Sequence, residues 1–500
     1  MSLWGRKKDQ KSTGPPHTQN GEEGRHVPEL RFEEPNERSR LLPADRNERF
    51  LSPDDPAVSP YNLWSVRAVR GVSIIALALS FIWWTFLLVS IFVSPPMIHP
   101  RGSGFFAFSY TTLATGYLVL GLLFFAVPSK PMTILAITLA ALLLVDMTII
   151  LAVPRIRLEE GWVGIASVVW VTLTSIYQAI QNRAVAWGKR EEEERLTGRE
   201  ETRRSLLEWI AVLAETILLA VMTIATILFT ATLILRAFDA GLEVPEGGNG
   251  PVEHTLQPFI DDVYSRGGIN RYCYWDRPGF GWSDNAPSPH SAGMSADVLS
   301  EALALAGETG PWIVVSAGVG SLSSRLFASR NLLKVCGIFM IDPLHEAYLG
   351  DIGRPGRGFL LWLRGVISPL GLDRLAGAIL RGRSRQDRVV GRAANQSGKY
   401  IKAKLQESLV AVTMTAAEIQ SSRHIQMGHA PVVVVSSGQE VRKKSQWAAR
   451  QEDLSRLTNN LLSWDVVDEA PHEVWTTGQG REVLERRLKE LVQTSQAHAP

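Results

Sequence analysis

Residues 312–325, WIVVSAGVGSLSSR, carry the pattern of a reactive turn: an apolar strand, a bend of small residues and the start of a helix. Turns of this type hold a serine nucleophile at their central position, because the strained backbone exposes the hydroxyl. Here the central position is occupied by Gly318, with Ser316 and Ser321 on either side. The sequence therefore predicts the turn without the oxygen that would attack a substrate.

A second register would make Ser316 the nucleophile of this turn. It would place Val314 two positions earlier, where the tight bend requires a small residue, and it would shorten the preceding strand. Ser321 fits the pattern less well than Ser316. The register with Gly318 at the centre is favoured, and Ser316 is kept as the alternative nucleophile.

Two polar residues follow later apolar runs and suit the other roles of acyl-transfer chemistry. His472, in DEAPHEVW, is placed to act as a general base, and Glu440, in VVSSGQEVR, as the acid that orients it. Asp342, in IDPLHE, is an alternative acid, but its position after an earlier strand favours a structural turn residue. The competing interpretation makes His472 a surface loop residue and SSGQE a polar turn.

These residues lie in a C-terminal segment, 239–500, in which strand-like and helix-like stretches alternate. Alternation of this kind indicates an α/β domain with a mostly parallel sheet. The predicted strands are YCYWD (272–276), WIVV (312–315), CGIFMIDP (336–343), PVVVVSS (431–437) and WDVV (464–467), and the predicted helices are 292–308, 320–331 and 478–494.

Ahead of this domain, residues 66–238 carry five long apolar runs. Each is about 20 residues or longer, enough for an α-helix to cross the roughly 30 Å hydrocarbon core of a bilayer. Residues 1–65 are rich in Pro, Arg, Glu, Asn and Ser and predict a disordered polar tail. We predict an α-helical transmembrane domain with spans at 71–95, 105–127, 132–153, 161–181 and 208–236.

The charge of the connecting segments predicts the orientation of these spans. The 183–206 connection carries seven Lys and Arg residues, whereas the segments on the alternate side carry fewer. The positive-inside rule then places the N-terminal tail in the cytosol. After five spans the C-terminal domain would be lumenal or extracellular, and the organelle is not predicted.

Two acidic residues, Asp146 and Glu215, lie within the predicted spans. An ionisable group at membrane depth indicates a functional site. For Glu215 the alternative is that it lies near enough to the basic cytosolic edge to reach water or a neighbouring arginine.

The order of these features resembles that of α/β-hydrolases: DRPGFGWSD after a strand, a small-residue turn, IDP after the following strand, and a histidine after the final strand. As a whole, the chain resembles a fungal integral-membrane family of unknown function that carries a C-terminal α/β-hydrolase-like domain. The stretches that carry this resemblance, over about residues 50–495, are LSPDDPAVSPYNLWSVR, SPHSAGMSADVLSEALA and RGFLLWLRGVISPLGLDRL.

The resemblance implies two further features. EGG at 246–248 would be the oxyanion loop, with the backbone N–H groups of Gly247 and Gly248 as donors, and 344–430 would be the lid insertion. The segment 239–245 is too short to hold the strands that open a hydrolase sheet. Either the chain lacks these first strands or a segment is missing from the sequence, and both alternatives weigh against a competent active site.

Within the lid, FLLWLRGVISPLGLDRLAGAILRGR mixes apolar residues with arginines at helical spacing. Such a helix either lies on a membrane surface or packs on its own domain. Both arrangements place the pocket near the bilayer, so the expected partners are membrane lipids and an apolar or lipid-like ligand. The balance of 52 basic and 50 acidic residues argues against a nucleic-acid partner, and no cofactor or metal is expected.

Three functions are compatible with these features. The first is a catalytically degenerate hydrolase-like domain that acts as a membrane-tethered binding or assembly module. The alternatives are an active membrane-bound serine hydrolase, esterase- or lipase-like, on an apolar acyl substrate, and a transporter or scaffold function residing in the spans. Loss of a serine nucleophile costs on the order of 10⁶ in turnover and leaves roughly 10³–10⁴ over water. We therefore expect the non-catalytic module, with direct activation of water by His472 as the remaining route to hydrolysis.

Overall fold

The computed structural model describes residues 58–497, apart from Pro96, His99, 199–204, 242–255, Val390 and 424–429. Within these residues an N-terminal half consists of long helices, and a C-terminal half combines helices with a parallel sheet. The expected oxyanion-loop glycines, Gly247 and Gly248, lie outside the described residues.

Among the described residues five helices are long and apolar enough to cross a membrane, which agrees with the predicted number of spans. The fourth is longer than the predicted span because Pro154 starts it and because helix continues through polar residues to Thr197. Gly161, with a φ of +61°, kinks it near its start. The helices are α1 (Trp64–Phe92), α2 (Phe105–Leu123), α3 (Lys130–Ala152), α4 (Pro154–Thr197) and α5 (Leu206–Ala240).

The interior of this bundle combines an apolar centre with many buried polar groups. Leu139, Leu143 and Leu219 pack at its centre. Asp146 is fully buried and accepts a hydrogen bond from the Tyr110 hydroxyl at 3.0 Å. Glu215 is also fully buried, which argues against contact with water, one of the two possibilities considered above.

The C-terminal half contains a four-stranded parallel sheet in the order β1-β2-β3-β4. The central strands β2 and β3 are almost wholly buried, which explains their unbroken apolar runs. Because the strands are parallel, their carboxyl ends meet at one edge of the sheet. The strands are β1 (Trp312–Ala317), β2 (Val335–Ile341), β3 (Val432–Ser437) and β4 (Leu461–Val467).

The predicted strand YCYWD is not a strand in the structure. Its tyrosines instead attach the segment to α6 (Leu256–Ser265): the Tyr272 hydroxyl donates to Asp261 at 2.5 Å, and the Tyr274 hydroxyl donates to the Gln257 carbonyl at 3.1 Å. Among the described residues no strand precedes β1, which is therefore an edge strand of the sheet.

Helices cover both faces of the sheet. Alternate residues of each strand point to opposite faces, so each face contributes its own set of apolar side chains to the packing. Phe339, Ile341, Val433 and Val435 pack with α6 and α17 (Gly478–Ala497). The intervening residues pack on the other face with α7 (Ala292–Leu305) and α8 (Gly320–Arg330); they are Ile338, Met340, Val432 and Val434.

The segment between β2 and β3 is helical in its described part and lies against the membrane helices. Ile401 and Leu405 share an apolar cluster with Ile91 and Phe105 of the spans. A Cβ on Gly365 would lie 2.0 Å from the Phe105 ring, so the helix that contains Gly365 lies so close to α2 that only glycine fits at this contact. The helices are α9 (Leu349–Ile352), α10 (Pro355–Ile367), α11 (Leu372–Leu380), α12 (Arg385–Val389), α13 (Gly398–Val410) and α14 (Ala416–Ser422).

The arginine-containing lid helices pack on other helices of the same chain, and their contact with a membrane surface stays a prediction. α10 packs on α13 and α2 of the same chain, yet Phe359 and Leu360 on it are 58% and 64% exposed. α11 packs beside α5 and likewise leaves Ile379 and Leu380 exposed. One face of each of these two helices packs on the rest of the protein, and the other face exposes apolar side chains.

Candidate functional site

A sharp turn joins β1 to α8 and has Gly318 at its centre. Gly318 has a φ of +51°, in the left-handed region that favours glycine. Its N–H donates to the Ile341 carbonyl at 3.1 Å, and its carbonyl accepts from the Leu344 N–H at 3.0 Å. Residues at and just after the end of β2 thus hydrogen-bond both the N–H and the carbonyl of Gly318. These bonds fix the direction in which a side chain at position 318 would point.

His472 reaches the same edge of the sheet from the loop after β4. Its Nδ1 lies 2.5 Å from Oδ2 of Asp342, the residue that follows β2. A carboxylate can only accept hydrogen bonds, so Nδ1 carries the proton and a neutral ring presents Nε2 as an acceptor. The ring is 43% exposed, whereas the Asp342 side chain is fully buried.

Asp342 is held by more than the histidine. Its Oδ1 accepts hydrogen bonds from the Ser437 N–H at 3.1 Å and from Trp447 Nε1 at 2.9 Å. Ser437 ends β3, and Trp447 begins α16 (Trp447–Ser455). One carboxylate therefore ties together β2, β3, α16 and the His472 loop.

The turn and the histidine face each other. An ideal Cβ built on Gly318 would lie 2.9 Å from Nε2 and 3.2 Å from Cε1 of His472. A hydroxyl on that carbon would therefore be within hydrogen-bond reach of the acceptor nitrogen after a small movement of the ring. Gly318, His472 and Asp342 therefore lie together at the carboxyl ends of the strands.

The structure corrects the prediction for the acid. Asp342 orients His472, whereas the Glu440 carboxylate lies 2.7 Å from Lys444 Nζ and 3.8 Å from Lys443 Nζ. Glu440 is the third residue of α15 (Gly438–Lys443). The lysines three and four positions later lie on the same side of this helical stretch and form ion pairs with its carboxylate. The hydrogen bond from Lys444 lowers the pKa of Glu440 despite its partial burial.

The serine candidates are engaged elsewhere. The Ser316 Oγ lies 2.8 Å from Ser324 Oγ on α8, and the fully buried Ser321 donates to the Gly318 carbonyl at 2.7 Å. Ser321 therefore stabilises the turn from inside. Ser316 precedes the turn on β1 and bonds to a helix that packs on the sheet, so its hydroxyl serves the contact between strand and helix.

A second polar cluster lies close by and has the residue types of a metal site. The ligand atoms of His345, Glu346 and Asp453 lie within 4.8 Å of one another. Two guanidiniums already occupy this cluster: Arg325 bonds Glu346 at 2.8 Å, and Arg423 bonds both Glu346 and Asp453. These cations supply the positive charge that the carboxylates require, so the chemistry is that of an ion-pair network.

Together these features define a polytopic membrane protein with an α/β-hydrolase-like domain. Residues 35–255 match the family model described as a region of unknown function (DUF2417). An uncharacterised protein of Schizosaccharomyces pombe is 32% identical over an alignment of 547 positions, gaps included, which covers 93% of this chain and 98% of that protein. The chain belongs to this family.

More distant relatives and solved structures cover part of the chain. An uncharacterised vacuolar membrane protein of Saccharomyces cerevisiae is 26% identical over 285 residues, covering 49% of this chain and 44% of that protein. A lipase-type protein of Acinetobacter baumannii overlaps 45% of the chain and 75% of its own length at 14% identity, with a TM-score of 0.31. A thermophilic esterase of Thermogutta terrifontis overlaps 44% and 78% at 16% identity, with a TM-score of 0.29.

Proposed function

We propose that the protein is a membrane-embedded binding module, built on an α/β-hydrolase-like domain that has no serine nucleophile. The observation that carries this proposal is the 2.9 Å between the Cβ position of Gly318 and Nε2 of His472. It supports the register in which glycine occupies the nucleophile position. A base and an acid without a nucleophile do not perform acyl transfer.

Magnitudes favour binding over hydrolysis. Removal of the serine of a catalytic triad costs on the order of 10⁶ in turnover, and the residual roughly 10³–10⁴ over water comes from binding and the oxyanion hole. The described part of the chain supplies the turn, His472 and Asp342, and the oxygen of the Ser316 hydroxyl is committed to Ser324. We therefore assign the His472–Asp342 pair to holding together the carboxyl ends of the strands at the proposed binding site.

The proposed ligand is apolar or lipid-like. The helices between β2 and β3 pack on the spans and expose Phe359, Leu360 and Ile379. Apolar side chains at the edge of a bilayer are favourable when they contact acyl chains. A ligand reaching the turn from the membrane would thus pass along these helices.

Activity-based labelling tests the absence of a serine nucleophile. The full-length protein in membranes is treated with a fluorophosphonate probe, together with Ser316→Ala and His472→Ala variants. We expect no specific labelling of any of the three. Labelling of the wild type that disappears in both variants would establish Ser316 as a working nucleophile and overturn the proposal.

A direct assay addresses activation of water by His472. The same three proteins are incubated with short-chain acyl esters, and hydrolysis is compared with the uncatalysed rate. We expect no difference between wild type and His472→Ala. Hydrolysis that depends on His472 and not on Ser316 would show a water-based mechanism instead of a binding role.

We further propose that the protein resides in a vacuolar membrane, with the N-terminal tail in the cytosol and the C-terminal domain in the lumen. The relative described as a vacuolar membrane protein and the seven basic residues of the 183–206 connection support this proposal. A pH-sensitive fluorescent protein fused to either terminus tests it. Quenching of the C-terminal fusion alone is the expected result, and quenching of the N-terminal fusion would reverse the orientation.

A further inference from the structure

A polar cavity of about 100 Å³ lies where the ends of the membrane helices meet the helices between β2 and β3. It has room for several water molecules, because a cavity volume of about 10–15 Å³ is enough for one water molecule. It is separate from the Gly318 turn and shares none of its residues. Its lining includes Thr232, Arg236, Asp239, Arg374, Arg388 and Lys399.

The wall of this cavity carries more positive than negative charge. Arg236 bonds Glu160 at 2.7 Å and Glu159 at 2.8 Å. Asp239 accepts from Arg388 at 2.6 Å and from Arg374 at 3.0 Å. With Arg155 and Lys399 added, five cationic side chains meet three carboxylates among the described residues. Lys399 Nζ also donates to the Gly281 carbonyl at 2.9 Å and is attracted by Asp276 and Asp284. The four arginines therefore exceed the three carboxylates by one positive charge.

Two buried polar atoms at this cavity have no hydrogen-bond partner among the described residues. They are Thr232 Oγ1, on a residue that is 1% exposed, and Arg374 Nε. Burial lowers the pKa of Arg374 to about 10, and the attraction of Asp239 opposes this only in part. Unsatisfied donors at a cavity wall gain free energy when an acceptor fills the space.

The first turn of α13 also faces this space. Gly398 and Lys399 line the cavity, and Ser397 caps the helix by accepting from the Tyr400 N–H at 3.3 Å. The first N–H groups of a helix have no partner within it and carry partial positive charge. A 13-residue helix of this kind favours phosphate at its N-terminus.

We propose that this cavity binds a phosphate group, held by Arg374 and Lys399 and by the first N–H groups of α13. Guanidinium groups and helix N-termini both suit the tetrahedral oxygens of phosphate. The inference does not depend on the Gly318 turn and goes beyond the proposed binding role of that turn. The phosphate is either that of a lipid headgroup or a free anion.

The experiment uses purified full-length protein in dodecyl maltoside and measures its melting temperature. Dioctanoyl phosphatidic acid is compared with dioctanoylglycerol, which has the same chains and no phosphate. Inorganic phosphate is compared with chloride at equal ionic strength. We expect phosphatidic acid to raise the melting temperature and dioctanoylglycerol to leave it unchanged. An equal shift with inorganic phosphate identifies a free anion as the ligand, whereas a shift with the lipid alone identifies a headgroup.

Arg374→Gln tests the assignment to this cavity, and Arg364→Gln on the exposed face of α10 is the matched control. Loss of a charge-assisted hydrogen bond weakens apparent affinity about tenfold or more. We expect this loss for Arg374→Gln and none for Arg364→Gln. Lys399→Gln is the second variant, used if Arg374→Gln is not monodisperse. Equal shifts with dioctanoylglycerol, no shift with any phosphate, or unchanged affinity in the cavity variant would overturn the proposal.

Discussion

Replacement of Asp342 is expected to separate its structural role from its role toward His472. The fully buried carboxylate accepts from Ser437, Trp447 and His472. Asp342→Ala leaves the buried N–H groups of Ser437 and Trp447 without an acceptor. Asp342→Asn keeps an oxygen for both and changes only the atom that faces His472. Asparagine also tolerates the positive φ of +40° found at this position.

The two variants should therefore differ in stability. Each buried donor left unsatisfied costs about 1–3 kcal/mol, so Asp342→Ala should lose roughly 4 kcal/mol. Asp342→Asn exchanges one hydrogen bond to a half-exposed ring and should lose about 1 kcal/mol. For a domain of this size, about 2–4 °C in melting temperature corresponds to 1 kcal/mol. We expect a fall of roughly 8–16 °C for alanine and about 2–4 °C for asparagine.

Tryptophan fluorescence of the detergent-purified protein during heating provides the measurement. Glu440→Ala is the control, because it removes ion pairs with lysines that are 64% and 51% exposed. Such pairs contribute about 0–1 kcal/mol. If Glu440→Ala destabilised the protein as much as Asp342→Ala, or if asparagine were as harmful as alanine, the role given to Asp342 would be wrong.

Three further outcomes follow from the packing and the buried bases. Gly365→Ala should lower the melting temperature, because its Cβ would lie 2.0 Å from the Phe105 ring, whereas Gly358→Ala on the same helix meets only an atom 3.9 Å away and should be neutral or stabilising. Burial lowers the pKa of His290 to about 4, so the unfolded chain binds more protons than the folded protein between pH 4 and 6.5. The melting temperature should therefore fall as the pH is lowered from 6.5 to 4, and it should fall less in His290→Gln. Burial lowers the pKa of Lys402 to about 7, so stability should rise from pH 7 to 9 in the wild type. Lys402→Met should melt higher at pH 7 and show a smaller rise, because the lowered pKa of Lys399 remains.

The spans and the sheet could be predicted because each depends on a local pattern. Apolar runs longer than a bilayer is thick leave few alternatives to a membrane helix. Short runs such as that of Val432–Ser437, bounded by polar residues, indicate a strand buried on both faces. The same local pattern wrongly predicted a strand at YCYWD. Its aromatic residues favour a strand, but the tyrosine hydroxyls donate hydrogen bonds to α6 instead.

The acid of the site could not be chosen from the order of the chain. Asp342 and Glu440 both follow strands whose carboxyl ends meet at one edge of the sheet. What separates them is distance from the strand: Asp342 directly follows β2, whereas Glu440 lies three residues beyond β3 and within a helix. The IDP pattern, with its carboxylate at the sheet edge, was the signal available in the sequence.

The phosphate-binding cavity had no signal in the sequence. Arg155, Arg236, Arg374 and Lys399 come from four different helices and are spread over nearly half of the chain. Each is unremarkable in its own segment. Only the packing of the lid helices on the ends of the spans brings them to one space, and that packing depends on close contacts such as Gly365 against Phe105.

The central claim is that Gly318 occupies the position of the missing nucleophile, and Gly318→Ser tests it most directly. The variant is compared with the wild type and with Gly318→Ser/His472→Ala for covalent labelling by a fluorophosphonate, read by intact-protein mass. A hydroxyl at this position would lie beside Nε2 of His472, so we predict that Gly318→Ser alone acquires the label. Equal labelling of the wild type, or no labelling of a folded Gly318→Ser variant, would contradict the account.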